Sequence, residues 1–435
     1  MGTKTTIAVL NKQSGNATLS PQDKQQLARL ENATALFDGR IYSPTSDASS
    51  TETIAKKLQQ ADNLEASEAF LKEVEGDFAF IIAEPERIIA GRDPVGVQPL
   101  YYGENQSIAA LASNRKALWK LGINEVRSFP PGQLGFVSRE GFKFKPVKTL
   151  VYSEPKQVTM QEAAETLQKM LEQAVRRRVS GTKDVAVAFS GGLDSSVVAF
   201  LAKKCQVNVH LVHVSLENQS ETEEAKKAAD ALDLPLQVHL FREADVENVV
   251  PKVVELIEEA DPVKASIGVP FYWAAEKTAE SGFKVLLAGQ GADELFGGYQ
   301  RYVNEYLSHG EEKVRKTMFD DVVGIHESNL ERDVKICSFH NVELRVPFGS
   351  YEIAEFAMAL PIGLKIEKRA DTLRKLVLRK AAENMGLPAS ITEKPKKAVQ
   401  YSTGINNALK KIAKKQKTPV ADYVNKLFLS QMTEN

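Results

Sequence analysis

The sequence predicts two domains: an α+β layered domain at residues 1–150, then a doubly wound α/β domain with a parallel sheet and a helical C-terminal part at residues 158–435. Three observations lead to this prediction. A chain of 435 residues is long for one hydrophobic core. Its first third consists of short apolar runs that turn residues separate, which is typical of antiparallel strands. Its middle third alternates apolar runs with amphipathic segments, which is typical of a parallel sheet with helices on both faces.

Short apolar runs predict the strands of the first domain, at residues 6–10, 77–84, 87–93, 99–103 and 133–141. Two segments of this domain have helical patterning: residues 21–31 after the N-cap candidate Ser20, and residues 51–60 after Ser50. The stretch at 151–160 holds Pro155 and few large apolar residues, so it is the predicted linker to the second domain.

The second domain begins with an amphipathic helix, predicted at residues 160–180. Continuous apolar runs predict four buried parallel strands, at residues 184–190, 207–216, 236–241 and 283–289. Helices are predicted in the intervening segments, at residues 195–205, 221–234, 246–260 and 268–281. Beyond about residue 300 no clear strand is predicted, and the remainder is expected to be helical.

Composition excludes several classes of protein. Lysine and arginine total 56 against 57 aspartates and glutamates, for a formal net charge of -1, which argues against a nucleic-acid or membrane-surface binder. No apolar run approaches the roughly 20 residues that a membrane span needs. The two cysteines, Cys205 and Cys337, cannot form a disulfide framework, so we expect a protein of the reducing cytoplasm.

The strongest chemical signal is the sequence SGGLDSS at 190–196, which lies between a predicted buried strand and a predicted helix. Two glycines permit a tight turn and a close approach of the backbone to a charged group. The helix N-terminus that follows presents free N–H groups and a positive dipole end. Together they predict a cradle for phosphate or pyrophosphate, formed by Ser190, Gly191, Gly192, Leu193, Asp194, Ser195 and Ser196. Because a bound anion would repel Asp194, we expect a divalent cation between the two.

SGGLDSS resembles the pyrophosphate loop of the ATP pyrophosphatases, enzymes that adenylate a substrate and release pyrophosphate. Three later segments resemble signatures of the asparagine synthetases and follow in that family's order: LLAGQGADELFGGYQRY at 286–302, NLERDVKICSFHNVELRVPF at 329–348 and KPKKAVQYSTG at 394–404. The resemblance implies an adenylating ligase with ATP and Mg²⁺ as cofactors.

The resemblance implies roles for residues at the ends of the predicted parallel strands. Asp194 and Asp293 match the two aspartates that hold Mg²⁺ on pyrophosphate. Val214 and Gly289 match positions that line the adenosine pocket, where open α/β sheets bind ligands. A purely structural role for the two aspartates is the alternative.

Further residues match the charged and polar groups of the family's reaction site. Lys397, or Lys396 if the loop register slips by one, matches the lysine that offsets charge on the departing pyrophosphate. Glu343 and Arg345 match a polar pair near the acceptor carboxylate, and Tyr299 closes the second signature. The alternatives are a structural ion pair for Glu343 and Arg345, a core position for Tyr299, and solvated side chains for the lysines.

The first 150 residues resemble the glutaminase domain that is fused to asparagine synthetases. GRIYS at 39–43 and GDFAFIIAEPERIIAGRDPVGVQPLYYG at 76–103 are the segments that match. The resemblance implies an Ntn-hydrolase-like αββα domain whose nucleophile is a cysteine directly after the initiator methionine. Gly2 stands at that position, so we expect a shortened, inactive glutaminase-like domain.

Two further departures concern the synthetase domain. Gln290 stands where bacterial-type relatives carry glutamate, and an amide can donate and accept hydrogen bonds but cannot serve as a carboxylate base. VPFGS at 346–350 replaces the usual VPFLD and removes an acidic side chain near the substrate. The identity of the acceptor acid is therefore less constrained than the chemistry of ATP.

These observations predict a ligase that adenylates a carboxylate, most simply that of aspartate, and transfers free ammonia to give asparagine, AMP and pyrophosphate. The alternatives are adenylation of another acid, ring closure as in the β-lactam synthetases, an RNA-modifying enzyme, and an ATP-binding regulatory or scaffold protein. The expected partners are the small-molecule substrates. A separate glutaminase and a homodimer are left open, and no nucleic acid or membrane is expected.

Overall fold

The computed structural model describes residues 5–20, 27–29, 33–42, 63–369, 373–394 and 403–433. The chain divides into two compact units, Met1–Val151 and Tyr152–Asn435. Among the described residues, no helix combines the length and apolar character needed to span a bilayer. Both cysteines are free thiols, with Cys337 buried and Cys205 partly exposed.

The first unit is built on two antiparallel sheets. The five-stranded sheet has the order β2-β1-β8-β7-β9, and the six-stranded sheet has the order β11-β10-β6-β5-β4-β3. The strands are β1 (Ile7–Asn11), β2 (Ala17–Ser20), β3 (Leu27–Arg29), β4 (Thr34–Ile41), β5 (Gly76–Ala83), β6 (Ile88–Arg92), β7 (Tyr101–Glu104), β8 (Ile108–Ala112), β9 (Arg127–Ser128), β10 (Gln133–Ser138) and β11 (Gly141–Pro146). The described helices of this unit are α1 (Asn63–Glu73) and α2 (Arg115–Lys120).

Three hydrophobic clusters define the layers of the first unit. One cluster joins the facing sides of both sheets and contains Leu10, Ile81 and Leu111. A second cluster packs α1 against the six-stranded sheet, and a third packs α2 against the five-stranded sheet. Each described helix of this unit therefore packs on one of the sheets, and the two sheets share an apolar cluster.

One prediction for this unit is wrong where it can be checked. The segment 21–31 was expected to be helical, but Leu27–Arg29 is an edge strand that pairs antiparallel with β4. Ala28 is buried in the cluster beneath α1, so pairing with an open sheet edge overrides the local helical pattern. The other residues of that segment and the whole predicted helix at 51–60 lie outside the described residues.

The second unit contains a five-stranded sheet whose strands are all parallel and have the order β14-β13-β12-β15-β16. Its strands are β12 (Asp184–Ala188), β13 (Asn208–Leu216), β14 (Leu236–Phe241), β15 (Val285–Leu287) and β16 (Glu343–Arg345). Its helices are α3 (Met160–Val179), α4 (Leu193–Lys204), α5 (Glu221–Leu232), α6 (Glu243–Ile257), α7 (Pro262–Glu280), α8 (Ala292–Phe296), α9 (Gln300–His309), α10 (Glu311–Val323), α11 (Glu331–Phe339), α12 (Tyr351–Met358), α13 (Leu376–Met385), α14 (Ala389–Thr392), α15 (Ile405–Lys415) and α16 (Val420–Thr433).

The strand order contains a reversal that positions the ligand site. The chain runs from β12 outward to β13 and β14, and then returns to add β15 on the other side of β12. Right-handed crossovers then place α4 and α5 on one face of the sheet and α6 and α7 on the other. The carboxyl ends of β12 and β15 flank the point of reversal, where parallel α/β sheets bind their ligands.

The four predicted parallel strands are confirmed. The first predicted helix, α3, is also confirmed, and it begins with a capping box between Thr159 and Glu162. The expectation of no strand beyond residue 300 is wrong, because β16 extends the sheet at Glu343–Arg345. Two of the three residues of β16 are charged, so this segment has no apolar run that would predict a strand.

Candidate active site

The segment predicted to cradle phosphate is the turn between β12 and α4. Gly191 has a φ of +68°, and a Cβ atom at this position would lie 2.7 Å from the Cα of Ala225 in α5. Only glycine therefore fits between the turn and that helix. Gly192 is the N-cap of α4, and its N–H donates to Ser190 Oγ at 3.3 Å. The turn thus presents the free N-terminus of a twelve-residue helix, which attracts an anion.

Some side chains of the SGGLDSS segment face the cavity, and others are buried in the interior of the unit. Ser190, Asp194 and Ser195 line the cavity beside the turn, and the two serine hydroxyls lie 3.3 Å apart. Leu193 and Ser196 are buried beneath the turn. The SGGLDSS segment therefore contributes backbone groups and three side chains to the site, while its other side chains hold the helix against the sheet.

A cavity of about 490 Å³ lies at the carboxyl ends of the parallel strands. Val214 of β13 and Gly289, which follows β15, both line it. A Cβ atom on Gly289 would lie 2.8 Å from the Cβ of Asp194, so glycine lets the segment after β15 approach the first turn of α4. One wall of the cavity is apolar and is formed by Val212, Val214, Ile267, Pro270, Phe271 and Ala274. An apolar wall next to a phosphate cradle suits a nucleoside phosphate.

Asp194 and Asp293 converge on one cation, the ammonium group of Lys375. Lys375 Nζ lies 2.6 Å from each oxygen of Asp194 and 2.7 Å from Asp293 Oδ1, and its side chain is 1% exposed. Its backbone is left-handed, with a φ of 62°, a conformation that non-glycine residues rarely adopt. Gly298 leaves the space for this contact, because a Cβ atom there would overlap with Asp293 Oδ1 and Lys375 Cε.

The geometry around Lys375 also tests whether these residues suit a magnesium ion. Carboxylate oxygens from Asp194 and Asp293 already surround a single positive charge at hydrogen-bonding distance. Oxygen ligands are those that Mg²⁺ prefers, and the ion usually takes one or two carboxylates together with phosphate oxygens and water. The two aspartates therefore fit a phosphate-bound Mg²⁺.

A continuous chain of hydrogen bonds forms the polar wall of the cavity. Tyr299 donates to Glu294 Oε1 at 2.6 Å, and Asn329 Nδ2 donates to the same oxygen at 2.7 Å. Arg332 connects Asn329 to Asp333, and Gln290 Nε2 donates to Asp333 Oδ2 at 2.5 Å. We refer to these six residues as the polar chain: Tyr299, Glu294, Asn329, Arg332, Asp333 and Gln290. All except Asp333 line the cavity.

Burial alters the acid–base properties of the polar chain. It raises the pKa of Glu294, and the neighbouring charge of Asp293 raises the pKa further. Burial and the charge of Glu294 raise the pKa of Tyr299 well above its usual value, so the phenol keeps its proton at neutral pH. Tyr299 is therefore a hydrogen-bond donor to Glu294, and Glu294 is the member of this pair that can accept a proton.

Several of these residues were not identified from the sequence. Lys375 lies 181 residues from Asp194 and belongs to no recognised motif. Asn329, Arg332 and Asp333 stand inside the segment 329–348 but are not among the predicted site residues, although polar residues at i, i+3 and i+4 indicate one face of a helix. In the structure Asn329 lies in the π-helical turn His326–Leu330, directly before α11. Glu294, directly after Asp293, is likewise not among the site residues that the sequence predicts.

The structure does not bring Glu343 and Arg345 to the cavity. Arg345 is buried and donates to both oxygens of Glu343, at 2.8 and 3.0 Å, and to the carbonyl oxygen of Arg178. Neither side chain is among the residues that line the cavity. Residues two apart on a strand share a face, so these two side chains meet each other. Their placement as a substrate-binding pair is corrected to a structural ion pair.

The loop that holds Lys396 and Lys397 lies outside the described residues, so the roles of both lysines stay predictions. The two ends of the loop are described. Lys394 Nζ lies 3.3 Å from the carbonyl oxygen of Gly191 and 2.9 Å from Glu224 Oε2, and Thr403 lines the cavity. Both ends of the loop therefore lie beside the phosphate cradle and the cavity.

Comparison with known proteins gives matches over both units. The asparagine synthase family model matches residues 166–310 and 304–435, and a glutamine amidotransferase domain model matches residues 16–120. A putative glutamine-hydrolyzing asparagine synthetase of Methanocaldococcus jannaschii is 34% identical over 79% of this chain and 72% of its own length. The glutamine-hydrolyzing asparagine synthetase of Asparagus officinalis is 27% identical over 92% of this chain and 69% of its own length. Among solved structures, NMN synthetase from Francisella tularensis aligns with a TM-score of 0.31 and 12% identity, over 63% of this chain and 92% of that chain.

Proposed function

Because this chain belongs to the asparagine synthase family, we propose that it is an ATP-dependent amide ligase that adenylates the β-carboxylate of aspartate and transfers ammonia to it. One observation carries the proposal. Asp194 and Asp293 converge on a single cation beside the glycine turn, at the edge of a cavity with one apolar and one polar wall. That arrangement suits a nucleoside triphosphate and a small polar acid in one compartment.

The apolar wall and the glycine turn bind the two ends of ATP. Val214 and its apolar neighbours contact the base, and the N-terminus of α4 receives the phosphates. Asp194 and Asp293 hold Mg²⁺, which when bound neutralises phosphate charge and polarises the phosphoryl oxygens. Lys375 supplies a further positive charge at the same place, so it stabilises the charge that develops on the departing pyrophosphate.

The reaction divides into two displacements. A β-carboxylate oxygen attacks the α-phosphorus of ATP, the bond to the bridging oxygen breaks, and pyrophosphate leaves with the electron pair. Ammonia then attacks the acyl carbon of the aspartyl adenylate, AMP leaves, and the attacking nitrogen loses a proton. The Tyr299–Glu294 pair receives that proton, because the phenol passes its own proton to Glu294 as it accepts the new one.

We propose free ammonia as the nitrogen donor, from solution or from a separate glutaminase. The first unit matches a glutamine amidotransferase domain model and has layered antiparallel sheets, which supports an Ntn-hydrolase-like domain. However, both cysteines of the sequence, Cys205 and Cys337, lie in the second unit. The first unit as given therefore holds no thiol nucleophile. Location in the cytoplasm and assembly as a homodimer belong to the same proposal.

A substrate screen tests the proposed function. Pyrophosphate release would be measured with ATP, Mg²⁺ and a panel of acids that includes aspartate, glutamate and succinate, and each acid would be tested with ammonium and with glutamine. We expect release to depend on aspartate and ammonium, with asparagine and AMP formed in equal amounts. Release that depends on another acid would reassign the acceptor. No acid-dependent release would overturn the ligase, and glutamate formed from glutamine would overturn the ammonia-only proposal.

A further inference from the structure

One member of the polar chain, Asp333, does not line the cavity. Asp333 lies fully buried on α11, behind two side chains that do line it. Its Oδ1 accepts from Arg332 Nε at 2.7 Å, and its Oδ2 accepts from Arg332 Nη2 at 3.0 Å and from Gln290 Nε2 at 2.5 Å. One buried carboxylate therefore holds Gln290 and Arg332 together.

The Arg332 contact determines how Gln290 is oriented. Within the described residues the Asp333 carboxylate accepts three hydrogen bonds, from nitrogen atoms of Arg332 and Gln290, and donates none. The two-pronged contact with the Arg332 guanidinium favours the ionised carboxylate. An ionised carboxylate only accepts hydrogen bonds, so the NH₂ end of the Gln290 amide has to face Asp333. The reversed amide would place its carbonyl oxygen against the carboxylate, which both charge and hydrogen bonding oppose.

The other end of the amide then belongs to the cavity. Gln290 lines the cavity, and its Oε1 accepts no hydrogen bond within the described part of the chain. At this place the site thus presents a neutral acceptor. Glu294, on the same polar chain, presents carboxylate oxygens to the same cavity. Two acceptors on one wall are complementary to a group that carries several N–H donors, such as an ammonium group.

We infer that Asp333 is a positioning residue: it fixes the Gln290 carbonyl oxygen toward the cavity, where that oxygen accepts a hydrogen bond from the ammonium group of an amino-acid substrate. The inference rests on the proposed function, because it assigns the part of the site that recognises an amino acid over a simple diacid. It also gives Gln290 a role that depends on its being an amide. Glutamate at this position would set two carboxylates against each other.

The test compares aspartate with succinate, which has the same two carboxylates and no ammonium group. Gln290→Met removes the carbonyl oxygen and leaves the Arg332–Asp333 pair intact. We expect this variant to raise the KM for aspartate roughly 10- to 100-fold, because an ammonium group loses its hydrogen-bond partner. The KM for succinate and the KM for ATP should change by less than about threefold, because neither molecule has an ammonium group that the lost carbonyl oxygen would accept from.

Relocating the charge tests Asp333 itself. Asp333→Asn should raise the KM for aspartate, because the side-chain amide of Gln290 can then rotate by 180° and present its NH₂ group to the cavity. Gln290→Glu should raise the same KM, because the carboxylates of Glu at 290 and of Asp333 repel each other. The double variant Gln290→Glu/Asp333→Asn restores a donor facing a carboxylate, so it should recover most of the KM. Asp184→Asn is the matched control, because Asp184 accepts from the amide of Asn208 at 2.8 Å on an exposed part of the sheet away from the cavity.

The outcomes separate this inference from the proposed function. Equal losses for aspartate and succinate in Gln290→Met, or no recovery in the double variant, would overturn the inference while the ligase activity of the wild type stands. If the wild type releases no pyrophosphate with any acid, the proposed function fails. Thermal unfolding without substrates of the wild type, Asp333→Asn, Gln290→Glu and the double variant would then test the Gln290–Asp333 pairing. Additive effects of Asp333→Asn and Gln290→Glu on the unfolding temperature would contradict the pairing, and recovery in the double variant would support it. Gln290→Met keeps the buried ion pair, so it remains informative if Asp333→Asn does not fold.

Discussion

Lys375 Nζ lies 2.6 Å from both carboxylate oxygens of Asp194, a contact that spans 181 residues of the chain. The same ammonium group lies 2.7 Å from Asp293 Oδ1. Two carboxylates this close would repel each other without a cation between them. Lys375 therefore keeps the acidic pair together, and it does so at the position where magnesium and the phosphates of ATP would add their charges.

Replacement of Lys375 tests its part in the reaction. Lys375→Met should lower kcat by roughly 10²- to 10³-fold, the usual loss when one preorganised electrostatic contact is removed. Lys380→Met, which removes an exposed lysine from α13, the helix that begins directly after Lys375, should leave kcat unchanged. Steady-state pyrophosphate release measures both variants. An unchanged kcat in Lys375→Met would refute its role in stabilising the leaving group.

The same variant reports on the metal site without any turnover. Removal of the ammonium group leaves Asp194 and Asp293 without their shared cation, so Mg²⁺ without ATP should raise the unfolding temperature of Lys375→Met more than that of the wild type. The added substitution Asp194→Asn should abolish this gain. Calorimetry with and without MgCl₂ measures the effect. Equal magnesium effects on the wild type and Lys375→Met would argue that the two aspartates do not form the site.

Gly298 is predicted to be essential for the acidic pair. Gly298→Ala introduces a Cβ atom that overlaps with Asp293 Oδ1 and Lys375 Cε, so the Asp293–Lys375 contact has to open. We expect pyrophosphate release to fall at least tenfold, with a lower unfolding temperature. Gly363→Ala is the matched control, because among the described residues no heavy atom other than those of the adjoining chain lies within 4 Å of a Cβ atom at that position. Similar activity in the two variants would contradict the crowding around Gly298.

Lys365 gives a prediction about stability and pH. Burial, with a smaller contribution from the charge of Arg315, lowers the pKa of Lys365 from 10.5 to about 7. The unfolded chain keeps the ordinary value, so charging this group disfavours the folded state fully below pH 7, and the penalty declines as the pH rises toward 10.5. Lys365→Met should therefore raise the free energy of unfolding by about 2–4 kcal/mol at neutral pH and by progressively less at higher pH.

Chemical denaturation at several pH values between 6 and 10 measures the Lys365→Met effect. Lys316→Met removes an exposed lysine from α10 and serves as the control, for which we expect no pH-dependent gain. A gain for Lys365→Met that increases with pH would have the wrong sign for a buried lysine and would contradict the assignment.

The sequence predicts the phosphate cradle and the strand ends because their signals are local. A buried strand, two glycines and a helix N-terminus define the turn within a short segment. Val214 and Gly289 are implied by the resemblance to the asparagine synthetases, and they lie on or just after the two strands that flank β12. Lys375 lies in no local sequence pattern, because it comes close to Asp194 only when the chain has folded. The same limit applies to Asp333, whose importance comes from contacts with Arg332 and Gln290.

The resemblance to the asparagine synthetases was least reliable for Glu343 and Arg345, because their spacing suits both a substrate-binding pair and a structural ion pair. Glu343 and Arg345 stand two residues apart before VPF, as a substrate-binding pair would. On strand β16 that spacing directs both side chains to one face, where they neutralise each other. The order of the sheet, which places β16 at its edge, could not be read from three residues.

The most direct test of the central claim is aspartate-dependent pyrophosphate release by the wild type, Asp194→Asn and the exposed control Asp320→Asn, each measured with saturating ATP and Mg²⁺. If Asp194 and Asp293 hold the triphosphate for adenylation, Asp194→Asn should release no pyrophosphate above background while its unfolding temperature stays near that of the wild type, and Asp320→Asn should behave as the wild type does. Pyrophosphate release by Asp194→Asn at the wild-type rate would contradict the claim.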